Sequence, residues 1–306
     1  MIFLSVIIVF LIVQWWGSST PFHSDQWFRD WHSRMDEVTF LKKNEGLVFA
    51  ASILGPVLLL LGIIAIVGSV ANWLLIIIFV PVLLYSLGRG EFTEPANDYL
   101  FAWNEKNWEK ALENYFLINQ FLVSETQDSG DVSEQRVNAE EPIVEDIDFE
   151  YGDWVSLNHA MLKSIIYKGF ESLFAVLFWF ILLGPVGALI YRLVSLFTLQ
   201  VTNEEQVQAK RWLWLLEWPA VRILGATFAL TGSFVGCIKS WQEKLLCAES
   251  TTTQVLEHYV NGALDIDESV QLIDVLTQRE FKEIISLYSR TLIFWVCLLA
   301  VLTVLL

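Results

Sequence analysis

The sequence predicts an all-α polytopic membrane protein with four transmembrane helices and one or two further membrane-embedded segments. Three observations carry that expectation. Apolar residues fill 55% of the 306 positions and charged residues only 18%, and the mean hydropathy is +0.49, well above the soluble range. Uncharged runs of 43 residues (Gly46 to Gly88) and 20 residues (between Glu171 and Arg192) are long enough, as helix, to cross a hydrocarbon core of about 30 Å. The net charge of -16 is concentrated between Ser124 and Asp153, where eleven acidic residues accompany the single Arg136, so the apolar runs stay clean.

Residues 1–45 form the first stretch. Met1 to Val13 is apolar but lacks a basic leader and a small-residue cleavage site, so it does not read as a signal peptide. It is short for a span, and Trp15 and Trp16 suit an interfacial anchor, which fits a tilted, re-entrant or extended first helix. Trp27, Trp31 and Met35 then recur every four residues, the stripe of an amphipathic helix packed on the protein or the membrane surface. Residues 46–88 follow as a transmembrane hairpin turning near Gly68, Ser69 and Asn72. Both of its ends then share one compartment, and Arg29, Arg34, Lys42, Lys43, Arg89, Lys106 and Lys110 assign that compartment to the cytoplasm.

Residues 89–165 read as a cytoplasmic helical region followed by the acidic loop. Trp103, Trp108, Leu112, Tyr115 and Phe116 suggest one apolar face over Pro95 to Leu122. The run Asp146, Asp148, Glu150 fails as a calcium loop, because Gly152 is misplaced and Leu157 stands where a bidentate Glu is needed. A solvated acidic linker is the better reading. Residues 166–240 hold the central membrane helices. In Tyr167 to Val194 the cluster Gly184, Pro185, Gly187 and Ala188 predicts a kinked, closely packed helix. A short polar connection from Thr202 to Arg211 leads to a Trp-rich stretch and an embedded segment at Val221 to Ile238, where Gly232 and Gly236 form a small-residue packing pair. Residues 241–306 comprise an amphipathic helix over Asp265 to Arg290, with Val270, Ile273, Leu276, Ile284 and Leu287 as its apolar positions, and a span from Thr291 to Leu306.

Several chemistries are not supported. No Lys/Arg cluster suits nucleic acid. His23, His32, His159 and His258 have no metal-ligand spacing, so no metal site and no cofactor is expected. Cys237, Cys247 and Cys297 are too few and scattered for a disulfide framework. The Gly232 to Ser240 stretch has the wrong spacing for a phosphate loop, and no nucleophile elbow or dinucleotide fingerprint is present. What remains are ionisable groups near membrane depth, which are costly unless they pair or line a polar cavity. Glu171, Tyr191, Arg192, Glu217 and Arg222 are the candidate ligand- or partner-binding residues on that ground. The bland alternative is that Glu217 and Arg222, which bracket Pro219, merely snorkel to headgroups.

Four stretches, taken together, resemble the AmpE family of bacterial inner-membrane proteins. They are Tyr85-Ser-Leu-Gly-Arg-Gly-Glu-Phe92 with Tyr99-Leu-Phe-Ala-Trp103, then Leu177 to Arg192, then Leu216-Glu-Trp-Pro-Ala-Val-Arg-Ile-Leu-Gly225, and Tyr288-Ser-Arg-Thr-Leu-Ile-Phe-Trp295. The resemblance implies a multi-pass regulatory or sensory protein of the inner membrane, linked to β-lactamase induction and peptidoglycan recycling. Its partners would be the bilayer and either another membrane protein or a cell-wall-derived small molecule, and a homodimer is compatible with the small-residue faces. The same core is distantly similar to the membrane amide synthases of corrinoid biosynthesis. That family's acidic and polar positions fall here on Tyr167, Lys168, Glu171, Ser195, Leu196, Thr198, Trp212 and Leu213, and only Glu171 keeps a carboxylate. ATP-linked ligation needs acidic metal ligands, so the expectation is a non-enzymatic protein. A scaffold gripping another transmembrane helix through Gly184, Ala188, Gly232 and Gly236 is the third reading.

Overall fold

The computed structural model describes residues 1–16, 25–37, 45–87, 93–120, 154–200, 204–245, 250–264 and 278–305. The acidic stretch from Ser124 to Asp153, Cys247, and Val270, Ile273 and Leu276 of the expected amphipathic helix lie outside them.

The fold is all-α, and the chain is a multi-pass membrane protein in character. Its helices are α1 (Ile2–Trp16), α2 (Gln26–Glu37), α3 (Glu45–Val70), α4 (Leu75–Ser86), α5 (Thr93–Asn104), α6 (Trp108–Gln120), α7 (Trp154–Gly169), α8 (Val176–Leu183), α9 (Pro185–Gln200), α10 (Glu204–Thr231), α11 (Phe234–Lys244), α12 (Thr252–Leu264) and α13 (Gln278–Leu305). A π-helical segment, Phe170–Ala175, joins α7 to α8 without a break. Among the described residues, four helical segments are long and apolar enough to cross a membrane: Val48–Val70, Leu157–Leu183, Val207–Thr231 and Phe281–Leu305. Their number matches the expectation, but their places do not all match.

The largest difference is at Gly184. Tyr167 to Val194 is not one kinked helix: α8 ends there and α9 turns back to pack on α8. Gly184 has φ 66° and ψ −154°, a conformation essentially restricted to glycine, and Pro185 starts α9 where its missing N–H costs nothing. A Cβ on Gly187 would lie 2.5 Å from the Trp179 carbonyl oxygen, so the reversal closes only because that atom is absent. The apolar run length signalled the membrane; the glycines decide that the chain turns at Gly184.

Three other boundaries move for local reasons. The second limb of the predicted hairpin, α4, has 12 residues and covers about 18 Å, too short to cross alone. A 3-10 turn at Asn72–Leu74 takes up the residues before it. Most of the expected polar connection from Thr202 to Arg211 is helix, since α10 begins at Glu204, and α10 ends at Thr231. Val221 to Ile238 is therefore two helices, and Gly232 and Gly236 do not share one face. The C-terminal span is not separate from the helix before it, because α13 is continuous.

The chain divides into two compact units. The first comprises Met1–Gly90, Gly169–Thr227 and Ser289–Leu306. In it α9 packs on α3, α4 and α8, while α1 packs on α4 and α2 on α3. Phe28, Phe174, Phe180, Phe197 and Leu224 are fully buried there. Along α3, by contrast, Leu54, Leu58, Leu59, Ile63 and Ile66 are exposed, a surface suited to lipid tails. The amphipathic α2 does pack on protein, although its buried face is offset from the predicted stripe. Asp25 and Phe28 are buried, Trp31 lies against the face left open by Gly55, and Trp27 is exposed.

The second unit comprises Glu91–Lys168 and Phe228–Tyr288. The α5–α6 hairpin turns through Lys106, at φ 57°, and buries Tyr99, Trp103 and Tyr115 with Leu157, Met161 and Ile165 of α7 and Phe281 of α13. Phe116 is exposed and leaves the predicted face. At the α10–α11 break the Ser233 N–H donates to the Ala263 carbonyl at 2.7 Å, and a Cβ on Gly232 would meet that same oxygen at 2.7 Å. Gly232 thus serves a close approach to α12 rather than a helix-crossing motif.

Candidate functional site

All five predicted site residues lie in the first unit, on the π segment, α9 and α10. The π segment carries Glu171, which is 7% exposed and accepts a 2.6 Å hydrogen bond from the Ser195 hydroxyl of α9. A π bulge inserts one residue per turn and re-aims the side chains on it, and such bulges recur at functional sites. One turn before Ser195, the buried Tyr191 hydroxyl donates to Glu217 Oε1 of α10 at 3.2 Å. Tyr191 and Ser195, one turn apart on α9, thus each engage a buried carboxylate, Glu217 and Glu171.

Arg192, the next residue, turns to another partner. Its Nη2 donates to Asp25 Oδ2 at 2.8 Å, and the Tyr85 hydroxyl donates to Asp25 Oδ1 at 2.9 Å. Asp25 is 4% exposed, so both carboxylate oxygens are used inside protein. Each charge in such a place costs several kcal/mol to desolvate, roughly, and persists because its partner and hydrogen bonds offset that cost. The pair ties α2 to α4 and α9.

Glu217 and Arg222 are 3% and 5% exposed, which removes the snorkelling alternative. Pro219 lies inside α10 between them. In the turn before it the Leu216 carbonyl accepts a 3.1 Å hydrogen bond from the Trp179 indole of α8, which ties α8 to α10 beside the proline. Arg222 lies 4.7 Å over the Trp218 ring and reaches the Trp218 carbonyl at 3.4 Å. A guanidinium over an aromatic face gains a favourable cation–π contact.

Sequence reading had not singled out Asp25, Tyr85 and Ser195 as site residues. A usable signal existed for Asp25, because a buried arginine needs an acceptor and Asp25 precedes an amphipathic helix, where its carbonyl accepts from the Phe28 and Arg29 amides. Tyr85 and Ser195 sat in apolar runs and gave no such signal. Of the packing glycines, Gly184 and Gly187 belong to the α8–α9 reversal beside this group, with Ala188 buried. Gly232 and Gly236 lie in the second unit.

Among the described residues no group of three or more His, Cys, Asp or Glu side chains could hold a metal ion. Chemically, the arrangement offers two buried carboxylates around a phenol and an arginine engaged by a buried aspartate. Such a set can bind a polar group or exchange a proton with one. No family model matches the chain, and no curated protein or solved structure is significantly similar to it.

Proposed function

We propose that the protein is a regulatory or sensory protein of the bacterial inner membrane, of the AmpE kind. On this reading the buried polar group of the first unit binds a small cell-wall-derived molecule or a polar segment of a partner protein. The observation that supports it most is the convergence of Glu171, Tyr191 and Glu217, from three separate helical segments, inside an otherwise apolar unit. Ionisable groups kept at this depth mark functional sites more often than packing. Ligand entry would compete with the Tyr191–Glu217 and Asp25–Arg192 contacts and so alter how α9 holds α2 and α10.

The test compares Tyr191→Phe, Glu217→Gln and wild type at matched membrane abundance in a host with an inducible β-lactamase. The proposal expects induction to fall at least about tenfold in either variant, the loss of a hydrogen bond to a charged group. Wild-type induction in both would remove the site. Crosslinking mass spectrometry on native membranes then separates a protein partner, seen as crosslinks from α9 or α10, from a small molecule.

A further inference from the structure

We propose that Glu257, His159 and Lys163 form a proton-responsive tie that fastens α12 to α7 in the second unit. The tie is tightest where the carboxylate is ionised and the imidazole protonated. Residues 98 positions apart in the chain meet here. His159 Nε2 lies 2.6 Å from Glu257 Oε1, and Lys163 Nζ lies 3.5 Å from Glu257 Oε2. His159 and Lys163 are one turn apart on α7, so both reach a single carboxylate.

The surroundings isolate this contact electrostatically. Among the described residues, His159 and Lys163 are the charged groups that hydrogen-bond or ion-pair with Glu257. Helix α11, packed on α12, carries Lys239 and Lys244, and α12 itself carries His258; none of these pairs with Glu257. Burial alone would raise the Glu257 pKa, but the His159 hydrogen bond and charge, together with Lys163, bring it below its ordinary value of 4.5. The carboxylate therefore stays ionised throughout the range in which an imidazole changes charge, about pH 5 to 8. The His159 side chain is 48% exposed, so protons reach it without unfolding.

Losing the imidazole's proton removes the imidazolium–carboxylate ion pair and leaves a weaker hydrogen bond from a neutral ring to the ionised carboxylate. Lys163 keeps its charge, so the tie weakens without breaking. The strength of the side-chain link between α12 and α7 thereby follows the pH of the solution that bathes it.

Hydrogen exchange of the full chain in detergent micelles, corrected for the intrinsic pH dependence, tests this on peptides covering 252–264. Protection in wild type should fall about two- to fivefold from about pH 5.5 to about pH 8, the range for a partly exposed ion pair. His159→Gln keeps a hydrogen-bonding side chain at an exposed position and should abolish the fall. Lys163→Met should lower protection at both pH values and keep the fall. An unchanged fall in His159→Gln, or no fall in wild type, overturns the proposal.

Discussion

The two units hold their charged groups in opposite ways. In the first, Asp25, Glu171, Glu217 and Arg222 are almost wholly buried, and their partners come from helices rich in Leu, Ile and Phe. In the second, Glu257 and Lys163 are only partly exposed and His159 half exposed, at the margin of a core built from Tyr, Trp and Ala. Buried charges are expensive and leave large penalties when one partner is removed, whereas exposed pairs contribute little and respond to pH and salt. The same residue types thus make a rigid polar core in one place and an adjustable contact in the other.

Mutations that break the contrast should follow that order. Arg192→Ala strands the Asp25 carboxylate and should cost about 3 kcal/mol, read as a lower unfolding midpoint in a denaturing-detergent titration. A cost below about 1 kcal/mol would place the pair on the solvent side of the comparison. Gly187→Ala forces a Cβ against the Trp179 carbonyl and should cost about 1–3 kcal/mol by the same assay. Gly62→Ala, where nothing lies within 4 Å, serves as its control and should be neutral or slightly stabilising. Tyr191→Phe removes one buried hydrogen bond to a carboxylate and should cost about 1.5–3 kcal/mol when Glu217 is present and less in Glu217→Gln.

The smallest effect belongs to Glu257. Its folded-state pKa lies below its unfolded one, so its contribution is present above about pH 4.5 and is lost as pH falls through the lowered value. A Glu257→Gln variant should remove that acid-side loss, of order 0.5 kcal/mol for an exposed pair, while leaving the Arg192 effect untouched. Matching acid profiles in variant and wild type would show that the second unit's tie is not electrostatic.

Composition and run length made the membrane class legible, because a hydrocarbon solvent constrains every residue in a span. The candidates themselves, Glu171, Glu217 and Arg222, were legible as charges interrupting or flanking apolar runs, and all three are buried. Helix ends were harder. An uncharged run records that residues avoid water, but the Gly184 reversal depends on one positive φ and one missing Cβ, which hydropathy does not register. Asp25 and Tyr85 were missed for a related reason: pairing with Arg192 joins residues 167 positions apart, and local periodicity carries no such information.

Carboxylate footprinting with a water-soluble carbodiimide and a small amine, read by mass spectrometry on the full chain in micelles, tests the central claim most directly. Asp25, Glu171 and Glu217 should remain unmodified while the exposed Asp98, Glu105 and Glu109 react readily. Modification of Glu171 and Glu217 as fast as those surface residues, in protein that is still folded, would contradict a buried polar group around Tyr191.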